Sequence, residues 1–423
     1  MVHLQKNTRI VAAVIIVVVL LAAAIGAYVY TTMQPKPPPA EEIIRLGVTG
    51  PLTGPNADFG KFIANGVRMR VDEVNDEGGL LVAGKRYQVQ IFLADDESKV
   101  EKGITAMEIL ATINKVHAIV GAYHSSITVA SCEVPQKYGI PFIDSGAMSI
   151  KIAQKIRDTP LPLVFQLSKT VASEGASVAQ ALVELRWAPN SKVALITQDS
   201  DYGRGDSEYF KKWLSDHAPD IQVVAEEYVP TAGMIDWIPV LTKIKATGAT
   251  WVGFTVTGLQ AVSLVQAWSE LGLKDSIRLH DFGGEIQSII PEADWGKITY
   301  MTGTVLLAAE KFQKTDWAKK FQDKFKYYPA EHDAQAYDAA TAMLWAIEKA
   351  GTFTDGTKIA TAIEQIDIVG VSGTIKFSPL SEGHVRAVSH MVMQYMPKGS
   401  PLLLPVVWPQ TQKEQEYVWP PPA

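Results

Sequence analysis

Between Leu46 and Gly79 the chain reads LGVTGPLTGPNADFGKFIANGVRMRVDEVNDEGG: a strand, a Gly/Pro-rich loop, a helix and a tight turn in immediate succession. The run Ile43–Thr49 is short, apolar and ended by turn residues, as a buried strand should be. Gly50-Pro51-Leu52-Thr53-Gly54-Pro55-Asn56 is too rich in Gly and Pro to extend either neighbour. Ile63, Val67, Val71 and Val74 then recur on one face of an amphipathic helix, and Gly78-Gly79 stops it. In open α/β sheets, ligands bind where a loop leaves the C-terminal end of a parallel strand and feeds a helix. The free N–H groups of such a first turn suit an anionic group such as a carboxylate. An ordinary strand-to-helix connection would read the same way at this stretch alone.

The alternation continues far beyond this unit. Strands are expected at Tyr87–Ala94, Ala118–Ala122, Pro141–Asp144, Val193–Thr197, Gln222–Tyr228, Thr250–Val256 and Ile277–His280. Helices are expected between them, at Val100–Asn114, Ile127–Tyr138, Val171–Arg186, Arg204–His217, Ile235–Ala246 and Leu259–Leu271. This is the rhythm of an α/β protein with doubly wound parallel sheets. It runs twice, from Ile43 to about Ser145 and from about Lys192 to His280, which predicts two lobes with a cleft between them. After Tyr300 the pattern changes to helices at Asp316–Lys326, Asp333–Ala350 and around Thr357–Gln365. A strand pair, Ser372–Phe377 and Val388–Tyr395, and a Pro/Trp-rich tail, Leu402–Ala423, are expected to follow, the tail draped over a surface.

The N-terminal region bears on location. Ile10–Tyr30 is an unbroken apolar run without charge, long enough to cross a bilayer at about 1.5 Å rise per residue. Lys6 and Arg9 precede it, which puts residues 1–9 on the cytoplasmic side. Residues 31–42, with Pro35-Lys36-Pro37-Pro38-Pro39, read as a stiff linker. A retained single-pass anchor with the ectodomain outside is the expectation. The alternative is a cleaved signal peptide and a periplasmic or secreted protein, although signal-peptide cores are about 7–15 residues long.

Three of the 39 basic residues, Lys6, Arg9 and Lys36, precede the first acidic one, Glu41, leaving 36 basic against 45 acidic in the ectodomain. That balance argues against a nucleic-acid partner. The one cysteine, Cys132, excludes an intrachain disulfide, and in a helical segment it is expected to pack rather than react. No GxSxG, HExxH or GxxxxGK[ST] occurs, so neither a hydrolase elbow, a zinc protease site nor an ATP-binding loop is present. His117 and His124 near Cys132 match no nucleophile arrangement. The chain is expected not to be an enzyme and to need neither cofactor nor metal.

The loops after the strands carry the candidate ligand groups. Phe59 follows the first strand. Tyr123-His124-Ser125-Ser126 follows Ala118–Ala122, where Ser125 and Ser126 stand at a helix N-terminus able to hold a carboxylate. Ser125 acting only as a helix cap is the competing reading. Ser145-Gly146-Ala147-Met148-Ser149 follows the next strand. The second run offers Asp199–Gly203, Thr255–Gly258 and Asp281–Glu285.

Five segments in this order resemble the periplasmic-binding-protein type I family, in its branched-chain amino-acid-binding branch. They are the opening unit, IVGAYHSSITVASCEVPQKYGIPFIDSGAMS, VALITQDSDYGRG, AYDAATAMLWAIEKAG and VSGTIKFSPLSEGH. The resemblance implies two lobes joined by three crossover strands, near Leu163–Leu167, Met301–Leu306 and Val388–Tyr395. Lobe one would comprise 43–165 and 306–372, lobe two 166–305 and 373–405, with 406–423 as a tail. The serine that holds the ligand carboxylate falls on Ser125, with His124 beside it. The covering aromatic falls on Phe59, the opposing-lobe tyrosine on Tyr202, and the carbonyl that meets the ligand ammonium on Ala147. Met148 stands where a threonine is usual, and a thioether donates no hydrogen bond. Ser149 is adjacent but would point differently. Thr257 occupies a place often aromatic, and the acidic partner of the ammonium is Asp281 or Glu285.

The implied activity is capture of a small polar solute, first an aliphatic amino acid, by hinge closure, and its delivery to a membrane permease driven by cytoplasmic ATPases. Met148 and Phe59 would also suit a more apolar ligand or one lacking the ammonium, and the resemblance implies an amide, a urea-like compound or an aromatic carboxylate as the alternatives. The same fold serves sensors, but nine residues before Ile10 leave no room for an output domain, so a sensor would need a separate signalling partner.

Overall fold

The apolar runs of the first half pair as an all-parallel sheet in the spatial order Val89–Asp95, Ile44–Gly50, Ala118–Gly121, Phe142–Asp144, Val164–Gln166. The last three strands are buried at every position. That is why they show no polar alternation: helices cover both faces of such a sheet. The computed structural model describes residues 43–419; the expected anchor, the linker up to residue 42 and the last four residues lie outside them. Among the described residues no helix is long and apolar enough to cross a membrane. From Ile44 onward the chain forms one compact unit.

A second sheet repeats the plan. Gln222–Val229, Lys192–Gln198, Trp251–Phe254, Arg278–Asp281 and Thr302–Val305 are parallel and lie side by side in that order. Numbered along the chain, both sheets have the order 2-1-3-4-5. Such a sheet winds in opposite directions from its first strand, and the crevice where winding reverses lies between strands one and three. In the first sheet the crevice is flanked by the loops after Gly50 and Gly121. In the second it is flanked by those after Gln198 and Phe254.

The chain after Thr302–Val305 goes back to the first sheet. Helix Glu331–Ala350 shares a core with helix Ala57–Asp76 and strand Ile44–Gly50, through Ala339, Met343, Val67 and Leu46. Their approach needs Gly66, because a Cβ there would stand 2.1 Å from the Asp333 carbonyl oxygen.

Several expected elements change form. The helix expected at Ile127–Tyr138 is two, Ser125–Ser131 and Glu133–Lys137. Pro135 has no N–H to continue the helical ladder to the Ser131 carbonyl. The helix expected from Arg204 starts at Asp201, because the Ser200 side chain accepts the Gly203 N–H as an N-cap. The two late strands do not pair with each other. Gly373–Ile375 forms a hairpin with Ile368–Gly370. Met391–Gln394, buried throughout, lies antiparallel between Thr302–Val305 and Val406–Trp408. The tail is likewise not merely draped: its apolar triplet Val406–Trp408 is a buried strand of the second sheet, bracketed by Pro405 and Pro409, which mask it in sequence.

Candidate functional site

The loops at both crevices meet around a cavity of about 90 Å³. Contacts from one sheet's loops to the other's close it. The Asp201 N–H donates to Ser126 Oγ (2.9 Å), and Lys151 pairs with Asp201. Gly258, with φ +60°, presses on the opposite loop so closely that a Cβ would lie 2.3 Å from Asn56 Oδ1. Met148, Val171 and Tyr202 form a small apolar cluster across the junction.

The first sheet supplies Tyr123, His124, Ser125, Ser126 and Met148 to the wall. Ser125 is not the N-cap of its helix; it is the first helical residue, and its Oγ accepts the N–H groups of Met148 (3.0 Å) and Ser149 (3.1 Å). With its oxygen so engaged, what it can offer the cavity is its O–H. His124 Nε2 lies 3.1 Å from Asn56 Nδ2, and burial lowers the His124 pKa to about 4, so the ring is neutral near pH 7. Cys132 is buried, and burial raises its thiol to about 11.

From the second sheet come Gln198, Ser200, Tyr202, Thr257 and Glu285. Gln198 Nε2 donates to Thr257 Oγ1 (3.3 Å). The two acidic candidates separate cleanly. Asp281 lies behind the wall, fully enclosed, its Oδ2 accepting the Ile286 N–H at 2.9 Å, and burial raises its carboxyl to about 7. Glu285 faces the cavity and accepts hydrogen bonds from Tyr123 Oη (2.8 Å, to Oε2) and His332 Nε2 (2.7 Å, to Oε1). Burial, then the Glu285 charge, holds the Tyr123 phenol well above its ordinary pKa, so it remains a donor. The lining holds no Lys or Arg, and Glu285 is its one carboxylate.

The other expected residues stand behind this wall. Phe59 is buried and stacks on Tyr123 at 4.5 Å. The Ala147 carbonyl accepts Gln166 Nε2 at 3.0 Å, and Ala147 has no exposed surface. Ser149 caps helix Ile150–Asp158 through the Lys151 N–H. Sequence reasoning did not single out Tyr123, His332 or Gln198. Tyr123 had a local signal, its place beside His124. His332 had none, because it enters from a helix whose partners are remote in sequence. Among the described residues no group of three or more His, Cys, Asp or Glu is placed to hold a metal ion.

The sequence model of a family described as "Periplasmic binding protein" matches residues 43–400. An "Amino acid binding protein" of Pseudomonas aeruginosa is 24% identical over 85% of this chain and 92% of its own length. The "Leu/Ile/Val-binding protein BraC3" of Rhizobium johnstonii is 26% identical over 77% of this chain and 85% of its own. In fold, the chain is similar to the branched-chain amino-acid substrate-binding protein LivJ of Streptococcus pneumoniae solved with isoleucine. The TM-score is 0.73 with 23% identity, over 87% of this chain and 100% of that one. It is equally similar to a solute-binding protein of Rhodopseudomonas palustris solved with p-hydroxybenzoic acid, with TM-score 0.73 and 21% identity over 86% and 95%.

Proposed function

We propose, for a chain that belongs to the periplasmic binding protein family of ABC-transporter solute-binding proteins, that the cavity at the paired crevices captures a small carboxylate-bearing solute from outside the cell and hands it to a permease. The observation that carries this reading is the site's position. Loops after the strands of two independently built sheets, those at the winding reversals among them, converge on one cavity and touch across it through Ser126–Asp201 and Tyr123–Glu285. A site divided in this way lets solute binding favour the closed arrangement, because the closed form alone offers contacts from both sides. In this reading, residues 43–165 with 306–372 and residues 166–305 with 373–405 move as the two lobes, and the first 30 residues hold the protein at the membrane.

Within this site the Ser125 and Ser126 hydroxyls would receive the carboxylate. Relatives named for amino-acid binding make an aliphatic amino acid the first solute to test, with Glu285 as the group facing its ammonium. A second reading, an acid without an amino group, is favoured by Met148 in the wall where a hydroxyl would help hold an amino-acid head group.

Calorimetric titration tests the proposal. A fragment beginning at Glu41, unfolded and refolded to strip carried-over solute, is titrated with amino acids, amides and aliphatic and aromatic carboxylates. One member should bind one-to-one, and Ser125→Ala should weaken it by about 1–3 kcal/mol, the scale for a lost buried hydrogen-bond partner. No heat with any member would overturn the reading. Unchanged affinity in Ser125→Ala would leave that serine as a loop tie only.

A further inference from the structure

Glu285 is the one carboxylate facing the cavity, and each of its oxygens already accepts one hydrogen bond from the protein itself. Tyr123 donates from the loop after strand Ala118–Gly121, and His332 donates from the first turn of helix Glu331–Ala350, packed against the first sheet. Glu285 follows strand Arg278–Asp281 of the second sheet. The two bonds therefore span the junction between the sheets. The donors are rigidly held. Phe59 stacks on Tyr123 at 4.5 Å and meets His332 edge-on at 5.5 Å, while Tyr123 and His332 meet edge-on at 5.2 Å. The His332 and Glu285 side chains are 6% and 13% exposed, so water replaces a broken bond poorly.

An ammonium entering the cavity meets one carboxylate, each of whose oxygens already accepts one bond from Tyr123 or His332; to take the directions those donors hold, it must displace one of them. The displaced O–H or N–H would be left without a partner in a closed site, which is costly. An acid with no amino group leaves both bonds intact. We propose that Tyr123 and His332 are specificity-determining residues: with Glu285 they form a latch between the sheets that fills the ammonium position, so that the cleft selects carboxylic acids lacking an amino group. The inference rests on the cavity being the solute site.

The experiment compares L-leucine with 4-methylpentanoate, the same carbon skeleton without the amino group, by calorimetry on the refolded protein. Wild type should bind 4-methylpentanoate at least tenfold more tightly than leucine. Tyr123→Phe, which removes only the hydroxyl, and His332→Ala should each narrow that ratio tenfold or more. His332→Gln, which keeps an N–H donor for Glu285, should restore most of it; a merely structural role for His332 would not produce that pattern. A leucine preference in wild type, or the same ratio in wild type, Tyr123→Phe and His332→Ala, overturns the latch while the solute site stands, since both probes still bind. Absence of binding by any acid or amino acid overturns the solute reading, and the latch as a selector with it.

Discussion

Two buried carboxylate clusters, one at the chain passages between the sheets and one at the cavity, handle the same electrostatic problem differently. At the passages, Lys169 Nζ lies 2.7 Å from Glu174 and 3.5 Å from Glu331, and the Lys169 and Glu174 side chains are almost completely enclosed. Asp206 lies alongside, its carboxyl held well above the ordinary range by burial and by Glu174. Glu331 also accepts the Leu306 N–H at 2.7 Å, which ties the segment after Thr302–Val305 to the same cation, and His390 Nε2 stands 2.9 Å from Ser173 Oγ. At the cavity, Glu285 has no cation of the fixed kind, only a phenol and an imidazole. A carboxylate matched by a buried lysine is committed to the fold. A carboxylate matched by a phenol and an imidazole instead ties the two sheets together at the cavity wall and can act on which solute enters.

The largest expected effect breaks the first cluster. Lys169→Met leaves Glu174 and Glu331 without their cation in a site closed to water, and removing one partner of a buried ion pair costs about 3–5 kcal/mol. Thermal unfolding of the variant should show a clearly lowered midpoint. A loss under about 1 kcal/mol would mean that the cluster is already neutral in the native protein.

A third solution to the same problem predicts a smaller, pH-dependent effect. Asp144 and Asp281 have neither a cation nor a side-chain donor; backbone N–H groups of Gly146, Ala147 and Ile286 hold them. Burial raises their carboxyls to about 8 and about 7, so in the fold each keeps its proton to a higher pH than an exposed carboxyl does. Unfolded, such groups titrate near 4. Between those values the native state binds protons that the unfolded state has released. Their stabilising contribution is therefore complete below about pH 4 and is lost as the pH climbs toward 7 or 8, by about 1.4 kcal/mol per pH unit for each group. Wild type should lose stability relative to Asp144→Asn as the pH is raised through this window. A constant difference would show Asp144 to be ionised in the native protein.

Glu285→Gln sharpens the contrast with Lys169. Shape is retained, and the amide oxygen still accepts one of the two hydrogen bonds, so the unfolding midpoint should move little. Binding should change more: the charge that faces the cavity is gone, and an anionic solute should gain about tenfold, or about 1.4 kcal/mol. A large loss of stability with unchanged binding would place Glu285 with the structural carboxylates instead.

The fold was legible because buried parallel strands must be apolar, and their connecting loops must be polar or glycine-rich. Strand positions such as Ala118–Gly121 and Lys192–Gln198 follow from that alone. Val406–Trp408 did not, because prolines on both sides hide a three-residue strand whose partner is fixed by tertiary packing. At the site, the loops that line the cavity could be named, but not which residue of each loop faces inward. The division between Asp281 and Glu285 depends on one backbone N–H, that of Ile286, and no composition signal reports it. His332 was out of reach altogether, since it meets Glu285 only after the chain has come back to the first sheet.

The smallest expected effect concerns Met148. Its side chain lines the cavity and packs with Val171 and Tyr202 across the junction, so it contributes apolar contact rather than a polar one. Met148→Thr would place a hydroxyl in that wall, able to donate to a head-group oxygen or accept from an ammonium. The gain for an amino acid should be about 0.5–1.5 kcal/mol, the net worth of one hydrogen bond. Lost contact with Tyr202 should offset part of it. Titration with leucine in the His332→Ala background separates the two terms, because there the ammonium no longer competes with the imidazole for Glu285. A gain seen only in that background would mean that the latch, rather than the missing hydroxyl, is the main barrier to an amino acid. An equal gain in both backgrounds would make the two barriers independent.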